Sequence, residues 1–131
     1  MNLDFFEEFE DKYLHTPCGQ GYFLAGVLLG LVASHQAEGG YSSAPLFKVL
    51  QMGRMDVYNL KKHLSRVPTL VEAYDVPGKG RLYQLLNVAL QKIAACGKDM
   101  GVDGNFAFTM GFVGAWDYYK KIFPDIEKNE Q

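Results

Sequence analysis

The feature that most constrains this 131-residue chain is an uninterrupted apolar run over residues 21–33, inside the segment YFLAGVLLGLVASHQ (residues 22–36). A helix needs about 20 apolar residues to cross a bilayer, and transmembrane segments carry basic residues at one flank. The run is shorter than this and no basic cluster flanks it. It therefore predicts a helix buried inside a folded domain, with no membrane segment.

Apolar residues elsewhere recur at steps of three and four, which is typical of amphipathic helices. No stretch alternates with period two as a half-buried strand does. Helices are expected over about residues 2–13, 22–37, 45–52, 57–74, 82–95 and 105–123, with Asp56 capping the fourth, Pro68 kinking it near Arg66, and Gly39-Gly40 ending the second. With 48% hydrophobic residues, the chain is expected to form one all-α domain over residues 1–131, a compact bundle of about five or six helices with a charged tail from about residue 124.

Glycines recur on the two most apolar helices. Gly26 and Gly30 lie four residues apart in the second helix, and Gly111 and Gly114 lie in the last one. Because glycine has no side chain, such a strip lets a second backbone come close. The sequence predicts that these two helices pack against each other through their glycines.

Catalytic and metal-binding motifs are missing from the sequence. Its three histidines, His15, His35 and His63, fall on three separate elements, and no HExxH, Walker or GxSxG pattern is present. Cys18 and Cys96 have no nearby cysteine partner, which favours reduced thiols in a cytoplasmic protein over a disulfide scaffold or a zinc site. No enzymatic activity, metal or cofactor is therefore expected.

Charge is unevenly distributed along the chain. Residues 1–44 carry six acids and one base, net −5, and residues 99–131 carry six acids and three bases, net −3. Residues 45–98 carry nine bases against three acids, net +6. The nine bases are Lys48, Arg54, Lys61, Lys62, Arg66, Lys79, Arg81, Lys92 and Lys98.

Two interpretations of this basic segment are open. Its bases are either ordinary surface residues or an electrostatic groove that holds nucleic-acid phosphates without reading bases. Lys62 and Arg66 are four residues apart, so a helix would place them on one face, flanked by Asn59 and His63. On the groove interpretation the nine bases are the candidate nucleic-acid-binding residues.

The sequence also resembles a known family. The segments YFLAGVLLGLVASHQ, PLFKVLQMGRMDVYNLKKHL (residues 45–64) and FAFTMGFVGAWDYY (residues 106–119), in this order and spacing, are similar to the C-terminal helical region of the type I-B CRISPR large subunit. In several type I systems that region is also made as a separate small subunit of the Cascade surveillance complex. The resemblance spans about residues 20–123.

The resemblance implies a non-catalytic subunit that supports the R-loop in antiviral defence. Its implied partners are the CRISPR large subunit, the backbone subunits, guide RNA, target DNA with its non-target strand, and further copies of itself. Two alternatives remain: a structural adaptor acting only through protein–protein contacts, and a small helical enzyme or ligand-binding bundle with its site between the two glycine helices.

Overall fold

A computed structural model describes residues 1–37 and 41–126, and within these ranges the chain is helical with no β-strand. The predicted all-α class is therefore confirmed. The expected stop at Gly39-Gly40 and the end of the charged tail lie outside the described residues. The α-helices of the described part are α1 (Pro17–Gln36), α2 (Pro45–Val49), α3 (Val57–Ser65), α4 (Val67–Ala73), α5 (Lys79–Ile93), α6 (Gly101–Val113) and α7 (Ala115–Ile122).

Two pairs of these seven helices are interrupted at a single residue. Arg66 separates α3 from α4, and Gly114 separates α6 from α7. The first break lies where Pro68 predicts it, because proline cannot continue the hydrogen bonding of the preceding turn. If each pair is counted as one helix, the described part contains five, and the one of the six predicted ranges that forms no α-helix is residues 2–13.

Helix α1 is the core of the domain. It is buried without a break from Gly21 to Ala33 and packs most extensively on α6 and α5. By length and composition it is the one helix of the described residues that could cross a membrane, but 78% of its most apolar window is buried inside the fold. A helix that is apolar all round and covered on all sides is typical of a protein core.

Glycines bring the backbones of α1 and α6 together. A Cβ on Gly26 would overlap the carbonyl oxygen of Phe108, and one on Gly111 would overlap that of Phe23. A Cβ on Gly30 would lie 2.8 Å from the Cβ of Ala115. The two helices therefore leave no room for a ligand at these glycines, which removes the site proposed there under the ligand-bundle alternative.

Gly114 has a different position from the one expected. A Cβ there would lie 2.6 Å from the ring of Tyr118, so this glycine makes room for a side chain of α7. The groups nearest to a Cβ on Gly30 are the carbonyl oxygen of Phe112 and the Cβ of Ala115, so these residues and not Gly114 meet α1 at this end of the interface.

The N-terminal segment differs from the predicted amphipathic helix. It forms two 3-10 turns, Asp4–Glu8 and Lys12–His15. Phe5 and Phe6 are both buried, and their rings pack against Phe23 of α1. The ring centroids of Phe23 and of Tyr118 in α7 lie 4.6 Å apart in the same cluster. The conformation of this segment is thus determined by the packing of its aromatic rings on the core and not by its helical periodicity.

Three helices begin earlier than expected. Thr16 caps α1, accepting a hydrogen bond from the Gly19 N–H at 3.1 Å, and Pro17 occupies the first turn. Residues 101–104, expected as loop, form the start of α6. Helix α5, expected from residue 82, likewise begins at Lys79, directly after Gly78, whose φ is +77°.

The two cysteines are bonded to each other, so the expectation of free thiols is wrong. Cys18 lies in the first turn of α1 and Cys96 follows α5, with a sequence separation of 78 residues. The bond ties the start of the central helix to the end of its neighbour. Closing so long a loop restricts the unfolded chain, an effect that typically contributes about 2–4 kcal/mol.

We predict that Gly26→Leu destabilises the domain by on the order of 1–3 kcal/mol, because the new side chain meets the α6 backbone, which cannot rotate away. Chemical denaturation followed by circular dichroism measures the change. Gly80→Ala is the control: Gly80 lies in α5 with open space around its Cβ position, so it should lose no stability. An unchanged unfolding midpoint for Gly26→Leu would contradict the close packing of α1 and α6.

Candidate functional site

A cleft separates α2 from the α3–α4 pair. It consists of two adjoining cavities of about 220 Å³ and 320 Å³, which share Val49, His63 and Arg66. The smaller cavity is completed by Gln36, Pro45, Leu46, Leu70 and Tyr74. The larger one is completed by Gln51, Met55, Asn59 and Lys62. We refer to these two cavities together as the α2–α3 cleft.

Hydrogen bonds fix both walls of the cleft. On one side, the Gln36 side-chain oxygen at the end of α1 accepts a hydrogen bond from the Leu46 N–H at 2.8 Å, which positions α2. On the other side, Asp56 caps α3 by accepting from the Asn59 N–H at 2.7 Å. This cap holds the first turn of α3, the helix that carries the basic side chains.

A buried amide anchors the segment that precedes α3. Asn105 of α6 accepts from the Met55 N–H at 2.8 Å and donates to the Met55 carbonyl oxygen at 3.1 Å. The Val57 N–H also donates to the Lys98 carbonyl oxygen at 3.0 Å. The cleft is therefore held rigidly against the core, as a binding surface needs to be.

Two of the nine candidate bases line this cleft. Lys62 and Arg66 both line the larger cavity, and neither side chain makes a hydrogen bond or ion pair with any described residue. Between them lies His63, whose Nδ1 is buried without a hydrogen-bond partner among the described residues. A buried polar atom without a partner is uncommon in folded proteins and calls for an explanation.

Burial lowers the pKa of His63 below the usual 6.5, and the positive charges of Arg66 and Lys62 lower it further. The imidazole is therefore neutral at pH 7, with one ring nitrogen that donates and one that accepts. The cleft thus combines two cations with a neutral ring that can bond in either direction. Such a set suits a ligand with a negative group and polar edges.

Other bases of the predicted set have intramolecular partners. The Lys79 ammonium lies 2.9 Å from a Glu72 carboxylate oxygen. Arg81 Nε donates to the Tyr119 hydroxyl at 3.2 Å, and Lys92 Nζ donates to the Gln20 side-chain oxygen at 2.8 Å. The remaining bases, Lys48, Arg54, Lys61 and Lys98, are exposed. The nine bases therefore differ in whether the side chain already has an internal partner.

Sequence reasoning missed the apolar wall of the cleft. Tyr74, at the end of α4, and Val49, at the end of α2, line the smaller cavity beside Arg66. Both are partly exposed, at 39% and 55% of their surface. Nothing in the local pattern marks them, because they reach the same cavity only through the tertiary fold.

The other two histidines, His15 and His35, make hydrogen bonds to the protein's own backbone. His15 and His35 each bond a backbone carbonyl oxygen, those of Phe9 and Leu31, at 2.7 and 2.9 Å. Within residues 1–37 and 41–126, no three His, Cys, Asp or Glu side chains are grouped to hold a metal ion.

The fold and the cleft define a compact helical domain with a basic surface cleft. A family model described as CRISPR-associated protein TM1802 (cas_TM1802) C-terminal domain matches residues 2–121. The chain therefore belongs to this family of CRISPR-associated proteins. No curated protein and no solved structure matches the chain significantly.

We predict that the pKa of His63 lies below 6.5. NMR of the imidazole signals across a pH series measures it, and the signals that disappear in His63→Gln are those of His63. The unfolded chain takes up a proton near pH 6.5 that the folded His63 does not. Its contribution to stability is therefore present above pH 6.5 and is lost as the pH falls toward the folded pKa. A His63 midpoint at or above 6.5 would contradict the buried, cation-flanked position.

Proposed function

We propose that this CRISPR-associated protein is the non-catalytic small subunit of a type I-B Cascade complex and binds the sugar-phosphate backbone of nucleic acid. The observation that carries the proposal is the α2–α3 cleft, in which Lys62 and Arg66 lie together without an acidic partner among the described residues. Lysine and arginine that lack internal partners are the groups that neutralise phosphates.

The energetics of R-loop formation give such a surface a role. Replacing a DNA duplex by a guide–target heteroduplex is nearly balanced in free energy, so protein contacts to the backbone tip the exchange. A subunit that holds the displaced non-target strand, or the guide RNA–target DNA duplex, stabilises the opened state without cleaving anything. The cleft offers two cations for this task, Lys62 and Arg66, and the residue before Lys62, Lys61, is an exposed third one.

The proposal narrows the set of nine bases. The cleft residues Lys62 and Arg66, with the exposed Lys48, Arg54, Lys61 and Lys98, are its phosphate-binding candidates. Lys79, Arg81 and Lys92 would first have to leave their internal partners. We therefore assign them a smaller part in binding.

The proposal includes assembly and location. The partners are the large subunit, the backbone subunits, guide RNA, target DNA and further copies of this chain, in the cytoplasm, with no cofactor and no membrane. A disulfide is unusual in a reducing cytoplasm. The state of the bond between Cys18 and Cys96 in cells thus tests the location independently.

One observation favours the adaptor alternative. The outer face of α6 exposes Val102, Phe106 and Val113 at 88%, 56% and 59% of their surface. They recur at helical spacing and form an apolar stripe, a feature typical of surfaces that contact another protein. An adaptor would use this stripe and not require the cleft.

We predict that the triple variant Lys61→Ala, Lys62→Ala, Arg66→Ala binds single-stranded DNA more weakly than the native chain. Its dependence on salt should also be shallower, by about 0.7 in the slope of log affinity against log salt for each phosphate that the protein no longer neutralises. Fluorescence anisotropy with a labelled oligonucleotide across a salt series measures both.

A charge-matched control replaces Lys12, Lys120 and Lys121, which lie outside the basic segment, with alanine. It should keep the native salt slope. If both triple variants lose affinity equally, net charge alone explains binding. If neither changes it, in the isolated chain and in the assembled complex, the proposal fails and the adaptor function gains support.

A further inference from the structure

The two ends of the α2–α3 cleft differ in chemistry. The larger cavity is polar and cationic, with Asn59, Lys62 and Arg66 in its lining. The smaller cavity is of mixed character and adds apolar side chains that the larger one lacks, with Leu46, Leu70 and the Tyr74 ring in its lining. The boundary between the two cavities is formed by the residues that line both of them, Val49, His63 and Arg66. A cationic site that continues directly into an aromatic pocket is more than phosphate binding requires.

We propose that the cleft holds one unstacked nucleotide of a single strand, with its phosphate at Lys62 and Arg66 and its base against Tyr74 in the smaller cavity. This inference rests on the proposed nucleic-acid-binding function. It adds a base-accepting pocket to a surface that was expected to contact only the backbone.

The size of the smaller cavity fits this occupant. Sites for drug-sized ligands enclose about 300–1,000 Å³, whereas this one encloses about 220 Å³. It therefore suits a group about as large as one nucleobase. The larger cavity, of about 320 Å³, leaves room for the sugar and phosphate beside it.

The polar atoms around the pocket suit a base with hydrogen-bonding edges. His63 lines both cavities, and its buried Nδ1 atom has no hydrogen-bond partner among the described residues. Gln36 also lines the pocket, and its orientation is fixed because its side-chain oxygen accepts from the Leu46 N–H. Stacking on a tyrosine ring tolerates any base, so the pocket takes a base without demanding a particular sequence.

A base pocket discriminates between the two candidate nucleic acids. In a duplex every base is stacked and paired, and extruding one costs free energy. In a single strand the bases are already available to aromatic side chains. The cleft therefore fits the displaced non-target strand better than the guide–target duplex.

The test compares two oligonucleotides of equal length and charge: oligothymidylate and a strand in which every nucleotide is a tetrahydrofuran abasic analogue. Fluorescence anisotropy with the full chain should show oligothymidylate binding about 10-fold more tightly, as expected when one base stacks on an aromatic ring. The salt slopes of the two should agree because their phosphates are the same.

Three variants locate the effect. Tyr74→Leu removes the ring and should abolish the preference for oligothymidylate, whereas Tyr74→Phe keeps the ring and should retain it. Tyr58→Leu removes a tyrosine that is 76% exposed on α3 and does not line the cleft, and should also retain it. Circular dichroism checks that each variant is folded.

The outcomes separate this inference from the proposed function. If neither strand binds, both the proposed function and the base pocket fail. If both strands bind equally with a clear salt dependence, the backbone-binding function stands and the base pocket is wrong. If the preference survives Tyr74→Leu or disappears with Tyr58→Leu, the base is bound elsewhere and the inference is overturned.

Discussion

The packing of α1 on α6 through glycine is the constraint on which the rest of the fold depends. Gly26 and Gly111 each lie where a Cβ would overlap the carbonyl oxygen of the other helix. This approach lets α1 be covered along its whole apolar length, so that the run of apolar and glycine residues from Gly21 to Ala33 can be buried without a membrane. Helix packing at this range depends on the small residues at the crossing, because any larger side chain holds the axes apart.

The candidate site is built on the ends of this central pair. The C-terminal end of α1 supplies Gln36, which holds α2, and α6 supplies Asn105, which holds the segment before α3. The walls of the cleft are thus fixed by two amide side chains from the two helices that form the core. Lys62, His63 and Arg66 lie between these anchors. Lys62 and Arg66 lie on one side of the end of α3 because they are four residues apart, and the two amide anchors hold the segments around this helix against the core.

The sequence predicted the elements that depend on local chemistry. The Asp56 cap, the break at Arg66 and the buried apolar residues of α3 and α4 all depend on residues that are close to one another in sequence. It failed where distant segments meet. The bond of Cys18 to Cys96 joins residues 78 apart in sequence, and no local signal shows that residues of α2 and Tyr74 line the same cavity. Helical phase correctly placed Lys62 beside Arg66. It did not predict the partners of Lys79, Arg81 and Lys92, because each of these partners lies on another element and is brought close by tertiary packing.

The central claim is that nucleic acid lies in the α2–α3 cleft, and photo-crosslinking tests it most directly. Single-stranded DNA carrying bromodeoxyuridine is irradiated with the chain, and the attached peptides are identified by mass spectrometry. The account predicts crosslinks within residues 45–74, which contain α2, α3 and α4, foremost at Tyr74. Crosslinks confined to the exposed face of α6 or to the N-terminal segment, with none in residues 45–74, would contradict it.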